Sequence, residues 1–263
     1  MSDLGSLLWG TVVLRPYVFT FLLAYLVAAA RDLGLRQTLW FLGWGFGVAS
    51  VAEYASTRIG IPFGLYHYTG TTAGVELYLA NVPVFDPLSF VFLAYAAFCL
   101  ARYCLGEDRG AGVVLLAGVL MMLLDVVIDP LAVRGDRWFL GRIFYYPAGG
   151  AYFGVPLSNF GGWALVGWVI VGGHAWAVPR SGRISADHRP SPGPGIGLYY
   201  GVLGFSLAMT VWIGEWWLLT VGILLHVGIF LLLYAVGVTL KSRRPRTGPI
   251  PCPVSGSAGS PFR

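Results

Sequence analysis

The sequence predicts an all-α, polytopic membrane protein with about seven transmembrane helices. Of its 263 residues, 57% are hydrophobic and only 11% are charged, and the mean hydropathy is +0.72. A water-soluble chain carries about 25% charged residues, so most of this chain is suited to lipid rather than to water. The apolar residues also fall into long runs, which is typical of membrane-spanning helices.

Seven of these runs approach the length of about 20 apolar residues that spans a bilayer core. The first lies between Leu7 and Ala30, contains Arg15-Pro16, and has no cleavage-site pattern after it, which favours a retained helix over a signal peptide. The other six runs are Thr38–Ala55, Phe85–Leu105, Ala111–Ile128, Asn159–Val178, Gly195–Ile213 and Trp216–Leu240. Residues 1–240 are therefore expected to form one transmembrane domain.

Basic residues predict the orientation of this domain. With the N-terminus outside, the inner segments 31–37, 102–110, 179–194 and 241–263 hold 12 of the 17 Lys and Arg residues. Because basic residues concentrate on the cytoplasmic side, this count favours an N-out, C-in protein of the cell membrane. The last segment is also rich in Pro, Gly and Ser, which predicts a disordered cytoplasmic tail.

Several classes of ligand are not expected. Clustered basic residues on a membrane protein report topology and contact with anionic membrane lipids, so nucleic acid is an unexpected partner. The sequence has no Gly-rich phosphate loop and no Cys or His cluster with metal spacing, so no cofactor or metal is expected. The three Cys and four His residues are scattered: Cys99, Cys104, Cys252, His67, His174, His188 and His226.

Polar side chains concentrate at the predicted outer ends of four helices. They are Glu53, Asp86, Asp125, Asp129 and Asn159. A charged aspartate at the bilayer centre costs about 3 kcal/mol or more, and such residues usually mark function. Five polar groups at one depth therefore predict a site.

Each of these groups alone also has a structural interpretation. Glu53 could pair with Arg58, while Asp86 and Asn159 could cap the helices that they open.

Asp125 and Asp129 are the strongest candidates for chemistry. Their spacing of four places both on one helical face, and Pro130 is expected to end the helix at Asp129. The negative end of the helix dipole, burial and mutual repulsion all oppose a second charge. At least one carboxyl is therefore expected to keep its proton near neutral pH, as a general acid requires.

Two loops on the same predicted side are dense in aromatic residues, Gly and Pro: "IPFGLYHYTG" (61–70) and "FYYPAGGAYFGVPLSNFGGW" (144–163). Irregular backbone of this composition can fold over a site at membrane depth if protein covers it. Aromatic faces attract cations. An interfacial aromatic belt is the alternative for such residues, and Trp138, Trp216 and Trp217 fit it.

Taken together, these strings resemble the membrane-integral carotenoid biosynthesis proteins that include the CruF-type carotenoid hydratases and bisanhydrobacterioruberin hydratase. The resemblance covers about residues 15–240, and Asp86 has no clear place in the family pattern. The residues that carry it are Glu53, Pro62-Phe63-Gly64, Tyr66, Tyr68, Asp125, Asp129-Pro130, Trp138, Tyr152-Phe153-Gly154-Val155-Pro156, Asn159-Phe160 and Trp163.

The resemblance implies a hydro-lyase that adds water across the terminal C=C of an acyclic polyene and gives a tertiary alcohol. Such a reaction protonates the alkene, passes through a tertiary carbocation and captures water. We expect acid–base roles for Asp125, Asp129, Glu53 and Asp86. We expect Phe63, Tyr66, Tyr68, Tyr152, Phe153, Asn159 and Trp163 to bind the substrate. The polyene would enter from lipid and water from outside, and other carotenoid biosynthesis enzymes are candidate partners.

Three alternatives stay open. A carotenoid end-group cyclase needs the same protonated alkene but quenches the cation with another double bond. A UbiA-type, magnesium-dependent prenyltransferase would suit Asp125 and Asp129, although its first Asn-Asp-rich motif is missing here. The non-enzyme alternative is a seven-helix transporter or photoreceptor, but Lys241, the lone lysine, lies at the cytoplasmic end of the last predicted helix.

The predicted orientation can be tested by cysteine labelling. In a background without native cysteines, an impermeant thiol reagent added to intact cells should modify Thr71→Cys and spare Ser181→Cys, because the two positions lie in loops on opposite sides. The reverse labelling would place the acids on the cytoplasmic side, and labelling of both would contradict the helix count.

Overall fold

The computed structural model describes residues 3–177 and 191–243, and most of this part of the chain is helical. Its eight helices confirm the all-α, polytopic prediction. They are α1 (Leu4–Leu14), α2 (Pro16–Asp32), α3 (Leu35–Ile59), α4 (Phe85–Leu105), α5 (Ala111–Ala132), α6 (Leu157–Ala177), α7 (Gly193–Trp212) and α8 (Trp216–Arg243).

Short strands occur only within the two long loops of the described chain. Strand β1 (His67–Tyr68) pairs antiparallel with β4 (Phe144–Tyr145), and β2 (Tyr78–Leu79) pairs with β3 (Val82–Pro83). The pairing of β1 with β4 joins the loop between α3 and α4 (residues 60–84) to the loop between α5 and α6 (residues 133–156).

Helices α4, α5, α7 and α8 are each long and apolar enough to cross a membrane. Helices α3 and α6 are 25 and 21 residues long, but they are not among these candidate spans. The orientation of the bundle stays a prediction. Helix α8 continues to Arg243, three residues into the predicted tail, and residues 244–263 lie outside the described residues.

The first apolar run forms two helices, which separate at the Arg15-Pro16 position. Helices α1 and α2 meet at an angle of 90°, and together they count as one further candidate span. The break falls at Arg15, whose φ of −128° and ψ of 48° are not helical. Pro16 explains this conformation, because proline disfavours helical geometry in the residue before it and offers no N–H to the preceding turn.

Helix α4 forms the centre of the bundle. Every side chain from Phe90 to Arg102 is buried, and α4 packs against α2, α3, α5, α6, α7 and α8. Its alanines at 94, 96, 97 and 101 are inaccessible to solvent. Small residues allow close helix packing, which drives helix association where lipid surrounds the bundle.

Helices α5 and α6 make the closest contact that positions the polar residues. A Cβ atom on Gly167 would lie 2.9 Å from the Cα of Gly118, and one on Gly118 would lie 2.7 Å from the carbonyl oxygen of Ala164. Glycine is therefore required on both sides of this crossing. The close approach brings Asp125 and Asp129 on α5 alongside Asn159 on α6.

The bend at Arg15 holds the two loops together above the bundle. Arg15 is only 1% exposed, and its Nη2 atom lies 3.1 Å from Glu76 Oε1 in the first loop. Its Nη1 atom donates a hydrogen bond of 2.7 Å to the carbonyl oxygen of Leu140 in the second loop. Thr11 on α1 accepts a hydrogen bond from the backbone N–H of Leu77, so α1 covers the first loop.

Pro130 does not end α5, contrary to the sequence prediction. The helix continues to Ala132, and the backbone N–H of Val133 still donates to the carbonyl of Asp129 at 2.9 Å. Proline removes one intrahelical hydrogen bond. The helix tolerates this loss because Pro130 lies two residues from its end. The carbonyl of Pro130 accepts a hydrogen bond from Arg134 at 2.8 Å.

The α5–α6 crossing gives a test of the packing. Gly167→Leu should lower the free energy of unfolding by about 1–3 kcal/mol because it overfills a closed contact. Gly161→Leu is the matched control, since a Cβ at this exposed position of α6 meets nothing within 4 Å. Thermal denaturation in detergent, followed by size-exclusion chromatography, measures both variants. Equal midpoints would contradict the close packing.

Candidate active site

Four helices place polar side chains at the same end of one cavity. Glu53 comes from α3, Asp86 from the first turn of α4, Asp125 and Asp129 from the last turns of α5, and Asn159 from the first turn of α6. All but Asp125 line the cavity. The loops above the bundle then supply the tyrosine hydroxyls that bond to the acids.

Glu53 and Asp86 share a tyrosine. The hydroxyls of Tyr66 and Tyr68 both donate to Glu53 Oε2, with a Tyr68 distance of 2.8 Å, and the Tyr68 hydroxyl also lies within hydrogen-bond distance of Asp86 Oδ2. A hydroxyl carries one hydrogen. Tyr68 can therefore form hydrogen bonds to both acids only if one of the two carboxyl groups is protonated and donates to the Tyr68 oxygen.

Asn159 bridges the other two acids. Its amide nitrogen donates to Asp125 Oδ2 at 2.6 Å and to Asp129 Oδ2 at 2.7 Å, and the Tyr146 hydroxyl lies 3.4 Å from Asp129 Oδ2. Asp125 is completely buried, and its Oδ1 atom has no hydrogen-bond partner among the described residues. This arrangement places Asp129 at the cavity wall and Asp125 behind it.

Aromatic contacts join the two pairs of acids. The Tyr66 ring packs edge-on against the Tyr146 ring, with centroids 5.7 Å apart. The Tyr66 hydroxyl donates to Glu53, and the Tyr146 hydroxyl lies within hydrogen-bond distance of Asp129. Burial raises the pKa of the Tyr68 and Tyr146 hydroxyls, and the nearby carboxyl groups raise both pKa values further. These loop tyrosines therefore stay neutral hydrogen-bond donors near neutral pH.

The cavity has a volume of about 110 Å³ and two chemically different ends. At the acidic end, the Trp163 ring stacks on Phe90 with centroids 4.0 Å apart, and Phe63 packs against both rings. The other end is apolar and lies between α2, α4 and α7. Its wall includes Tyr17, Val18, Phe21, Phe92, Leu93, Val202 and Phe205.

Most, but not all, of the predicted substrate-binding residues line this cavity. Phe63, Tyr66, Asn159 and Trp163 do, whereas Tyr68 lies beside it and reaches it only through Glu53 and Asp86. 

The sequence predicts substrate contact for Tyr152 and Phe153, whereas the structure places both outside the cavity wall. Backbone hydrogen bonds between Tyr152 and Val155 close a tight turn, in which Phe153 has a φ of +49°. The Tyr152 ring packs against Phe153 and Phe160, and Arg134 binds the Phe153 carbonyl. Neither ring is part of the cavity wall.

The structural interpretations of the single residues are also wrong. Arg58 lies 3.5 Å from Asn81 and covers the ring of Tyr54, so it does not pair with Glu53. Helix α4 begins after Val84 and α6 begins at Leu157, and neither Asp86 nor Asn159 caps its helix. The side chains of both residues bond within the acid network instead.

The sequence pattern did not single out several wall residues. Tyr146 and Phe144 lie in the quoted "FYYPAGG" stretch, but three consecutive aromatic residues give no indication of which ring faces inward. Trp138 is compatible with an aromatic belt in the sequence and also belongs to the family motifs; in the structure it lines the cavity and donates to the carbonyl of Leu131. By contrast, Trp216 and Trp217 are 62% and 78% exposed, as a belt requires.

Within the described chain, the side chains that form hydrogen bonds to the four acids are a neutral amide and tyrosine hydroxyls. The ion pairs found in residues 3–177 and 191–243 involve Glu76, Asp32, Asp108 and Glu215, and none involves the acids of the cavity. In the same residues, no three His, Cys, Asp or Glu side chains are grouped in a way that could hold a metal ion.

The fold and the cavity define a class: a polytopic α-helical membrane protein with an acidic site closed over by aromatic loops. Comparison with known proteins then places the chain in a family. It belongs to the carotenoid biosynthesis protein family, whose pattern matches residues 10–229, and this confirms the resemblance seen in the sequence.

A relative with an assigned activity matches part of the chain. Bisanhydrobacterioruberin hydratase from Haloarcula japonica is 36% identical over 121 residues, which cover 45% of this chain and 38% of that protein. The match therefore spans less than half of the relative. No solved structure matches the chain significantly.

Proposed function

We propose that the protein is a carotenoid hydratase of the cell membrane, which adds water across the terminal C=C of an acyclic polyene. One observation carries the proposal: two hydrogen-bonded pairs of acids lie at one end of a cavity whose other end is aromatic and apolar. Family membership and the hydratase relative support the same chemistry.

Protonation of the alkene is assigned to Asp129. This carboxyl lines the cavity, and its hydrogen-bond donors, Asn159 and Tyr146, are neutral. Asp125 is buried behind Asp129 and accepts a hydrogen bond from the same Asn159 amide nitrogen. The two carboxyl groups therefore act as a pair that shares the transferred proton. Because carboxyl groups this close titrate together, the proton belongs to the pair rather than to one residue.

The aromatic walls stabilise the tertiary carbocation that protonation creates. The ring faces carry negative electrostatic potential, which attracts a cation most strongly where water is excluded. Phe63, Tyr66 and Trp163 line the cavity, and Phe90 stacks on the Trp163 ring. The cation therefore forms beside rings instead of beside a basic group.

Water capture is assigned to the other pair of acids. Water adds to the cation and gives up a proton to the carboxylate of Glu53 or Asp86, so the product is a tertiary alcohol. The enzyme then holds as many protons as it began with, and proton exchange with water restores the starting state of both pairs of acids. The apolar chain of the polyene would lie between α2, α4 and α7 and would enter from the lipid.

Expression in a carotenoid-producing host tests this function. The wild-type protein should convert an acyclic carotenoid to products heavier by one water per reacted end, as measured by mass spectrometry of the pigments. Asp125→Asn keeps the shape but cannot supply the shared proton, so its pigment should stay unhydrated although the protein inserts. An isomeric product would indicate a cyclase, and wild-type turnover by the variant would remove Asp125 from the mechanism.

Glu53→Gln should lower the hydration rate at least about tenfold, which corresponds to about 1.4 kcal/mol of barrier. Glutamine keeps an oxygen that can accept from Tyr66 and Tyr68 but cannot take the proton of the attacking water. The rate must be normalised to folded protein measured by size-exclusion chromatography. Unchanged specific activity with less folded protein would show that Glu53 serves only the structure.

A further inference from the structure

A second cavity includes Tyr68 in its wall but none of the four acids. This outer vestibule has a volume of about 410 Å³ and is formed by the first loop and α1. Its lining residues are Leu7, Tyr68, Gly70, Ala73, Gly74, Glu76, Leu77, Tyr78, Ala80 and Asn81. One water takes up about 30 Å³ of liquid, so the vestibule has room for several.

The vestibule is polar enough to hold water. The Tyr78 hydroxyl lies 2.8 Å from Thr72 Oγ1. Glu76 is almost fully buried, and its Oε2 atom has no hydrogen-bond partner among the described residues. Buried polar atoms of this kind are commonly satisfied by ordered water.

Tyr68 connects the vestibule to the acid network. Its ring is half-buried and forms part of the vestibule wall, while its hydroxyl bonds to Glu53 at 2.8 Å and also to Asp86. No other vestibule residue in the described chain has a hydrogen bond to the four acids. The apolar end of the acid cavity lies elsewhere, between α2, α4 and α7.

We infer that Tyr68 is the positioning residue that passes water from the outer vestibule to Glu53 and Asp86, while the polyene reaches the acids from the apolar end. This inference rests on the proposed function and assigns Tyr68 to water delivery rather than to the wall around the cation. The polyene and the water then enter by different routes. Bulk water therefore does not follow the polyene to the place where the cation forms.

The chemistry of the cation makes this role measurable. A tertiary carbocation either captures water, forming a C–O bond, or loses a proton from the neighbouring carbon to a carboxylate and becomes an alkene again. In D₂O, the first path gives an alcohol that carries deuterium on the carbon that was protonated. The second path gives unhydrated polyene that carries deuterium.

The experiment compares the two products in D₂O by mass spectrometry. Tyr68→Phe keeps the ring but removes the hydroxyl, so the ratio of alcohol to deuterated polyene should fall at least about tenfold relative to wild type. Tyr145→Phe is the matched control, because this loop tyrosine is 38% exposed and belongs to neither cavity. Its ratio should equal that of the wild type.

A second variant keeps the test decisive if Tyr68→Phe does not fold. Ala73→Phe fills the vestibule away from the acids and should lower the same ratio while deuterium incorporation continues. Equal loss of both products in Tyr68→Phe, or an unchanged ratio in the variants that fold, would overturn the inference. A wild-type protein that forms neither product would instead refute the proposed hydratase function.

Discussion

Three carboxyl groups line one end of a cavity with a fourth buried behind them, and within the described residues no basic side chain pairs with any of the four. Buried charge without compensation is strongly destabilising, so the acids need either protons or good neutral donors. The protein supplies an amide from α6 and three tyrosine hydroxyls from loops. The requirement to place these donors explains why both loops fold inward and why α5 and α6 approach so closely.

Nearby arginines form ion pairs with acids other than these four. Arg15 pairs with Glu76, while Arg134 and Arg137 both pair with Glu215. A guanidinium among the cavity acids would stabilise their ionised forms and would also repel a carbocation. The same arginine contacts serve the fold, because Arg15 fixes the bend between α1 and α2 and joins the two loops.

Local rules predicted much of this protein, but they were wrong at particular residues. Composition and run length are sufficient for the helical membrane fold, and the spacing of Asp125 and Asp129 correctly places them on one face. Pro130 predicts the end of α5, but the helix continues for two more residues. Only one hydrogen bond is lost at this position, because it lies near the end of the helix.

Ring orientations in the loops could not be predicted in the same way. Whether Tyr146 or Tyr152 faces the acids depends on the β1–β4 pairing and on the turn at Phe153, and both arise from contacts between distant segments. The seven apolar runs likewise gave no sign that Arg15 would be enclosed by two loops.

The acidity of only one end of the cavity determines how a symmetrical polyene would be processed. With the end group held against the acids, the opposite terminus of a long, rigid chain must lie far from any of the four carboxyls. On the proposed function, two hydrations would therefore require two separate binding events, with release, reversal in the bilayer and rebinding between them. The enzyme would be distributive: singly hydrated pigment would accumulate in the membrane before the doubly hydrated form, and it would compete with fresh substrate for the same cavity.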